Sequence, residues 1–151
     1  MILYLDASAL VKYYAVELGS AKVMEVISHA ELMGTAVITR AEVSAALAKA
    51  VRTRALTEAE ARSGLQALRE EWPYLMRVEV TETLIARADL LAWDLGLRGY
   101  DAVHLAAALA WRDAVSAQVT LATFDQQLWA AAERVGLTPY PEGLRQRKAQ
   151  G

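Results

Sequence analysis

The chain contains no cysteine, which removes disulfide staples, thiolate zinc sites and cysteine nucleophiles together. Only two histidines are present, too few for a histidine-based metal cluster. No stretch reaches the roughly 20 consecutive apolar residues that a membrane helix needs. The opening run Met1 to Leu5 carries no basic leader and meets a carboxylate at Asp6. These absences lead to the expectation of a cytoplasmic, complete chain with no membrane partner. Charge of one sign is lacking too: the net value of −2 announces no polyanionic partner and forbids none.

What is abundant is apolar surface, 55% of residues, enough for a substantial core in one domain of this length. Its periodicity alternates between two kinds of element. Ile2 to Leu5, Thr35 to Ile38, Leu75 to Val80 and Gln118 to Ala122 read as short strands, with Leu137 to Tyr140 a further edge strand. Helical spacing fills the intervals: Ala7 to Glu17, Ser20 to Glu31, Thr39 to Arg54, Thr57 or Glu58 to Glu71, Thr81 to Leu95, Tyr100 or Asp101 to Ala114, and Gln126 to Val135. Strands separated by helices imply crossover connections and a mostly parallel sheet covered on both faces, an α/β fold. No repeat or linker divides the chain. The reading is one domain over residues 1–141, followed by a basic tail over 142–151 that carries Arg145, Arg147 and Lys148.

In such sheets ligands bind beyond the carboxyl ends of the strands, so the acids at strand-to-helix junctions carry the interest. Asp6 follows the first strand, Glu42 lies one turn into the helix after the second, Asp101 opens its helix, and Asp125 follows the Gln118–Ala122 strand. Each has an innocent explanation. Thr39-Arg40-Ala41-Glu42 matches a capping box, and Asp6, Asp101 and Asp125 suit helix N-caps. Capping accounts for each position but not for the set. A parallel sheet would project all four to one edge, where their repulsion calls for cations. Mg²⁺ or Mn²⁺ suits an all-oxygen donor set, and such ions activate water and neutralise phosphate in an in-line displacement.

Four segments carry a resemblance. They are Leu3-Tyr4-Leu5-Asp6-Ala7-Ser8-Ala9-Leu10-Val11-Lys12, Thr39-Arg40-Ala41-Glu42-Val43, Gly99-Tyr100-Asp101-Ala102-Val103-His104-Leu105-Ala106-Ala107-Ala108, and Leu121-Ala122-Thr123-Phe124-Asp125-Gln126-Gln127-Leu128. In their order and spacing the chain resembles the PIN-domain family, particularly the small VapC-like toxins of type II toxin–antitoxin pairs. The resemblance implies a three-layer α/β/α sandwich and a metal-dependent endoribonuclease acting on RNA, in toxins frequently tRNA or rRNA. It implies that Asp6, Glu42 and Asp101 hold Mg²⁺, or Mn²⁺ in its place, with Asp125 completing the acidic pocket and Ser8 and Thr123 lining it. A homodimer and an antitoxin that silences the toxin are implied in the same way.

Other residues are weighed beside these. Lys12, Lys49, Arg52 and Arg54 read first as a solvated helix face, and after that as phosphate contacts, which position RNA without reading its sequence. His104 lies three residues after Asp101 on nearly the same helical face, and is read as structural ahead of acid or ligand. Trp93, Trp111 and Trp129 are spaced like core or dimer-face aromatics. Two alternatives stay open: a PIN nuclease of RNA processing with no antitoxin, and a silent PIN-like module that only binds RNA or protein. A phosphatase of the haloacid-dehalogenase type would need a second acid where the chain has Ser8, and is set aside.

Overall fold

A computed structural model describes residues 1–144; Arg145, Arg147 and Lys148 of the basic tail lie outside the described residues. Five strands and the helices between them follow the alternation of the sequence. In chain order they are β1 (Ile2–Leu5), α1 (Ala7–Tyr14), α2 (Ser20–Ser28), β2 (Leu32–Ala36), α3 (Thr39–Arg52), α4 (Glu58–Glu71), a 3₁₀ turn (Trp72–Tyr74), β3 (Met76–Val78), α5 (Glu82–Leu95), α6 (Gly99–Val115), β4 (Val119–Ala122), α7 (Gln126–Arg134) and β5 (Thr138–Tyr140). The strands form one sheet of order β3-β2-β1-β4-β5, and every pairing is parallel.

This order places the site. The chain steps from β1 to β2 to β3 in one direction, then returns to β4 on the other side of β1. Right-handed crossovers that travel in opposite directions must cover opposite faces of a sheet. Accordingly Leu3 and Leu5 of β1 share a core with Leu10, Val23, Val43, Leu47 and Leu68 of α1 to α4. Tyr4, pointing the other way, packs with Leu84, Leu105, Leu109 and Leu128 of α5 to α7. The three-layer sandwich expected from the resemblance is thus present. Between β1 and β4 the direction of travel reverses, which opens a crevice at their carboxyl ends.

Several boundaries differ from the sequence reading. Helix α1 ends at Tyr14 and α2 at Ser28, both earlier than expected. Strand β2 begins at Leu32, because Ile2, Leu3 and Tyr4 take Leu32, Met33 and Gly34 as register partners. Gly34 therefore lies inside the strand. The Trp111 ring of α6 rests against it, and a Cβ there would lie 2.7 Å from that ring, the close approach that admits glycine in a strand interior.

Gly64 serves the same purpose in the opposite layer. Mid-helix glycine costs about 1 kcal/mol relative to alanine, yet a Cβ at this position in α4 would lie 2.4 Å from the Tyr14 carbonyl oxygen. Backbone faces backbone there, so neither side can yield by changing a rotamer. Gly64→Ala is expected to lose about 1–3 kcal/mol despite its gain in helix propensity, read as a lower thermal midpoint; an unchanged or raised midpoint would show that α1 and α4 can move apart.

Candidate metal-binding active site

Asp6 sits where β1 runs out, beside β4, with its amide donating to the Ala122 carbonyl (3.2 Å). Its carboxylate is 4% exposed and heavily engaged. Oδ1 accepts from the Ala9 amide (2.9 Å) and the Ser8 hydroxyl (2.7 Å), and Oδ2 accepts from the Thr123 hydroxyl (2.6 Å). The first bond makes Asp6 the N-cap of α1. A carboxylate offers about four acceptor positions, so three bonds leave room for a cation. Burial pushes its pKa above the ordinary carboxylate value, although the His104 ring, both hydroxyls and the Ala9 amide pull it down.

Ser8 and Thr123 fasten the two central strand ends together. Each hydroxyl donates to Asp6, while Ser8 Oγ accepts the Phe124 amide (2.9 Å) and Thr123 Oγ1 accepts the Asp125 amide (3.1 Å). Their protons are committed to Asp6, so their part is to orient it.

Asp101 opens no helix: α6 begins at Gly99 with Arg98 as its N-cap, and the simple capping role considered for Asp101 does not hold. It lies within the first turn of α6 and is 3% exposed. Burial raises its pKa, and the negative charges of Asp125 and Asp6 raise it further against the pull of Arg98. Asp125 caps α7 through Oδ1 and the Leu128 amide (2.9 Å), leaving Oδ2 to the pocket. Arg98 spans the two acids, with Nε 3.0 Å from Asp101 Oδ2 and Nη2 2.6 Å from Asp125 Oδ2. It stands as a counter-ion at the rim and overlies the Tyr100 ring (4.9 Å).

Glu42 reverses its innocent explanation. The N-cap of α3 is Ile38, with no side-chain cap, and the Thr39 hydroxyl is taken up by Thr35 (2.7 Å). The capping box considered for Thr39 and Glu42 is therefore not formed; the capping box that does form is at Thr57 and Glu60 of α4. Glu42 Oε1 instead meets His104 Nε2 at 2.7 Å, and His104 Nδ1 meets the Tyr4 hydroxyl at 2.7 Å. Burial, then the charges of Asp6 and Glu42, raise the Tyr4 pKa well above its usual value, so the phenol keeps its proton.

Charge links three of the acids directly and Glu42 only through Tyr4. Asp101 senses Asp6 and Asp125, and Tyr4 senses Asp6 and Glu42. Among the described residues no three acids or histidines converge as a ready-made metal cluster; Arg98 and His104 engage three of the four carboxylates. Such a donor set fits Mg²⁺, which is commonly bound by one or two carboxylates and keeps several waters, rather than an all-protein cage.

A family model described as "PIN domain" matches residues 3–134. The chain belongs to the PIN-domain family. Among its PIN relatives, "Ribonuclease VapC45" of Mycobacterium tuberculosis (strain CDC 1551 / Oshkosh) is 35% identical over 143 residues, covering 95% of this chain and 97% of that one. The fold is similar to PAE2754 from Pyrobaculum aerophilum, with a TM-score of 0.64 and 22% identity over 92% of this chain and 83% of that one. It is also similar to VapBC2 from Rickettsia felis, a structure bound to a DNA fragment from their promoter, with a TM-score of 0.60 and 14% identity over 93% and 98% of the two chains.

The sequence reading left out Arg98 and Tyr4 and took His104 as structural. Arg98 was within reach, because a residue at an N-cap lies next to the one three places on, here Asp101. Tyr4 carried no such signal, since the contact with His104 joins residues 100 apart in sequence. Of the basic candidates, Lys12 pairs with Glu17 (2.9 Å) and lies 4.7 Å from the centre of the Phe124 ring beside the pocket. Lys49, Arg52 and Arg54 are exposed at the far end of α3 and just beyond it, about 10–15 Å along the chain axis from Glu42 by helical rise. Trp111 and Trp129 are buried, and Trp93 is 88% exposed. No helix among the described residues is long and apolar enough to cross a membrane.

Proposed function

We propose that this PIN-domain chain is an endoribonuclease of the VapC type, the toxin of a toxin–antitoxin pair, with Asp6, Glu42, Asp101 and Asp125 as its Mg²⁺-dependent active site. The observation that carries this reading is that two buried carboxylates are both tied to the segment after β4, Asp6 through the Thr123 hydroxyl and Asp101 through the Arg98 that it shares with Asp125. The 35% identity to a ribonuclease over 95% of the chain supports RNA as the substrate class.

When bound, Mg²⁺ supplies a lowered pKa for an attacking water and positive charge against the phosphate oxygens. Asp6, fixed by Ser8, Thr123 and the Ala9 amide, would hold the ion together with Asp101 and with Glu42 of α3. Asp125 completes the acidic rim with Arg98. Mn²⁺ would serve in the same donor set. The Arg98 side chain, half exposed beside Asp101 and Asp125, would meet a phosphodiester that approaches the pocket.

The reading includes an antitoxin partner. Two hollows that share Ala15 and Leu56, one lined by Ser8 and Lys12 and the other by Tyr14, Val16 and Met24, are where a partner segment would lie, ending at Ser8 beside Asp6. Homodimer formation remains part of the proposal from the family resemblance alone.

The deciding experiment incubates purified protein with mixed tRNA and rRNA in Mg²⁺, in Mn²⁺ and in EDTA, with an Asp101→Asn control. Cleavage that needs the metal and vanishes in the variant supports the reading; cleavage that survives EDTA would refute it. Lys12 offers a subsidiary check on the RNA path. Measured by anisotropy on the inactive Asp101→Asn background, Lys12→Ala is expected to weaken RNA binding and to reduce the slope of log K against log salt by about one. An unchanged slope would leave Lys12 as the partner of Glu17 only.

A further inference from the structure

His104 is 1% exposed and Tyr4 fully buried, and the histidine has no main-chain partner: both of its ring nitrogens meet side chains. A carboxylate can only accept, so the 2.7 Å contact with Glu42 Oε1 places the proton on His104 Nε2. In a neutral ring Nδ1 then accepts, and the Tyr4 hydroxyl, at 2.7 Å, donates to it. The Tyr4 ring meets the imidazole edge-on, with centroids 5.9 Å apart and planes at 72°, which fixes the ring plane. The chain of bonds runs from the middle of β1, through α6, to the first turn of α3.

We propose that Tyr4 and His104 form a positioning pair that holds Glu42 in its metal-binding rotamer. The inference rests on the reading of Glu42 as part of a metal site. A glutamate side chain loses rotamer freedom when it is fixed, and Glu42, without its capping box, has no local anchor on α3. His104 supplies that anchor by occupying Oε1, which leaves Oε2 for a cation. Loss of a hydrogen-bond partner that orients a metal ligand typically costs about 10–100-fold in metal affinity or activity.

Two measurements on the full-length protein test it. The first is the ¹⁵N spectrum of the two histidines, of which His29 is exposed and serves as the internal reference. His104 is expected in the Nε2–H tautomer without added metal, and its Nδ1 resonance is expected to shift in Tyr4→Phe, which removes the hydrogen bond donated to that nitrogen. A Nδ1–H ring overturns the proposal. The second is Mn²⁺ affinity by calorimetry, with folding checked by circular dichroism. His104→Leu is expected to weaken Mn²⁺ binding about 10–100-fold, and excess Mn²⁺ to restore RNA cleavage. His104→Gln, which keeps a donor toward Glu42, should hold most of the affinity, and Tyr4→Phe should lose several-fold. If His104→Leu does not fold, Tyr4→Phe and His104→Gln carry the test, and equal affinity to wild type in Tyr4→Phe overturns the pair. Wild type that takes up no Mn²⁺, matched by Asp6→Asn, overturns the metal reading and the inference together. Wild-type binding with unaltered binding in folded His104→Leu overturns the inference alone.

Discussion

Asp6→Asn and Asp101→Asn are each expected to reduce Mg²⁺-dependent RNA cleavage by a factor on the order of 10³ or more, since a bound ion contributes several kcal/mol to the transition state and each 1.4 kcal/mol is tenfold. The substitutions alter charge and barely alter shape. At position 6 an amide oxygen can still accept from the Ala9 amide, which is the cap that starts α1, so the fold has no reason to fail. At position 101 the acid is not a cap at all, and its replacement leaves α6 intact. Asp125→Asn should cost less activity, because Asp125 stands at the Arg98 rim and keeps its capping oxygen toward Leu128. Glu58→Gln, which removes an acid from the exposed pair with Arg62, controls for charge loss elsewhere. Single-turnover cleavage of an RNA pool in Mg²⁺ measures all four. Wild-type rates in both Asp6→Asn and Asp101→Asn would sink the assignment of the site.

How far the sequence speaks depends on the range of the interaction that decides each feature. Strand β1 and Asp6 were legible because an apolar run ending in an acid is a local pattern, and the parallel sheet followed from the spacing of strands and helices. The start of β2 was not, since the register partners of Leu32 and Met33 lie in β1 and Gly34 is admitted by the Trp111 ring, a residue far along the chain. The acids divide in the same way. For Asp6 and Asp125 capping and site geometry coexist, so local chemistry could never separate the two readings. For Glu42 a local pattern misled: Thr39 and Glu42 have capping-box spacing, but Thr35 claims the hydroxyl and His104 the carboxylate. The first competitor lies four residues upstream at the end of β2 and the second reaches across the fold, and together they outweigh a bond worth about 1 kcal/mol. The four acids became legible as a set through the resemblance to PIN domains, and the contacts behind them became legible only through the fold.

The second large effect is on stability, and its sign follows from the two raised carboxyl groups. In unfolded chains aspartate titrates near about 3.9, while burial lifts Asp6 and Asp101 above the ordinary value in the folded state. Between the unfolded and folded pKa values the native protein binds more protons than the unfolded chain, so stability falls as pH rises. Their contribution is therefore least unfavourable in acid, declines from about pH 4 upward through the folded pKa of each group, and is flat beyond it. Other carboxylates titrate in the same range, so the informative quantity is the difference between wild type and variant at each pH. In EDTA, Asp6→Asn and Asp101→Asn should gain on wild type as pH rises, by roughly 2–4 °C in thermal midpoint for each kcal/mol of charge burial relieved. Mg²⁺ should reverse the order. An ion held at 100 times its dissociation constant adds about 2.7 kcal/mol to wild type and little to the variants, which lack the charge that binds it. Thermal melts across pH 4–8, with EDTA and with Mg²⁺, give both halves of the result. Variants that melt below wild type in EDTA at neutral pH would mean that the Ser8, Ala9 and Thr123 bonds to Asp6, and the Arg98 bond to Asp101, outweigh the burial of charge. The acidic crevice would then be stable without a cation, and the need for a metal would rest on activity alone.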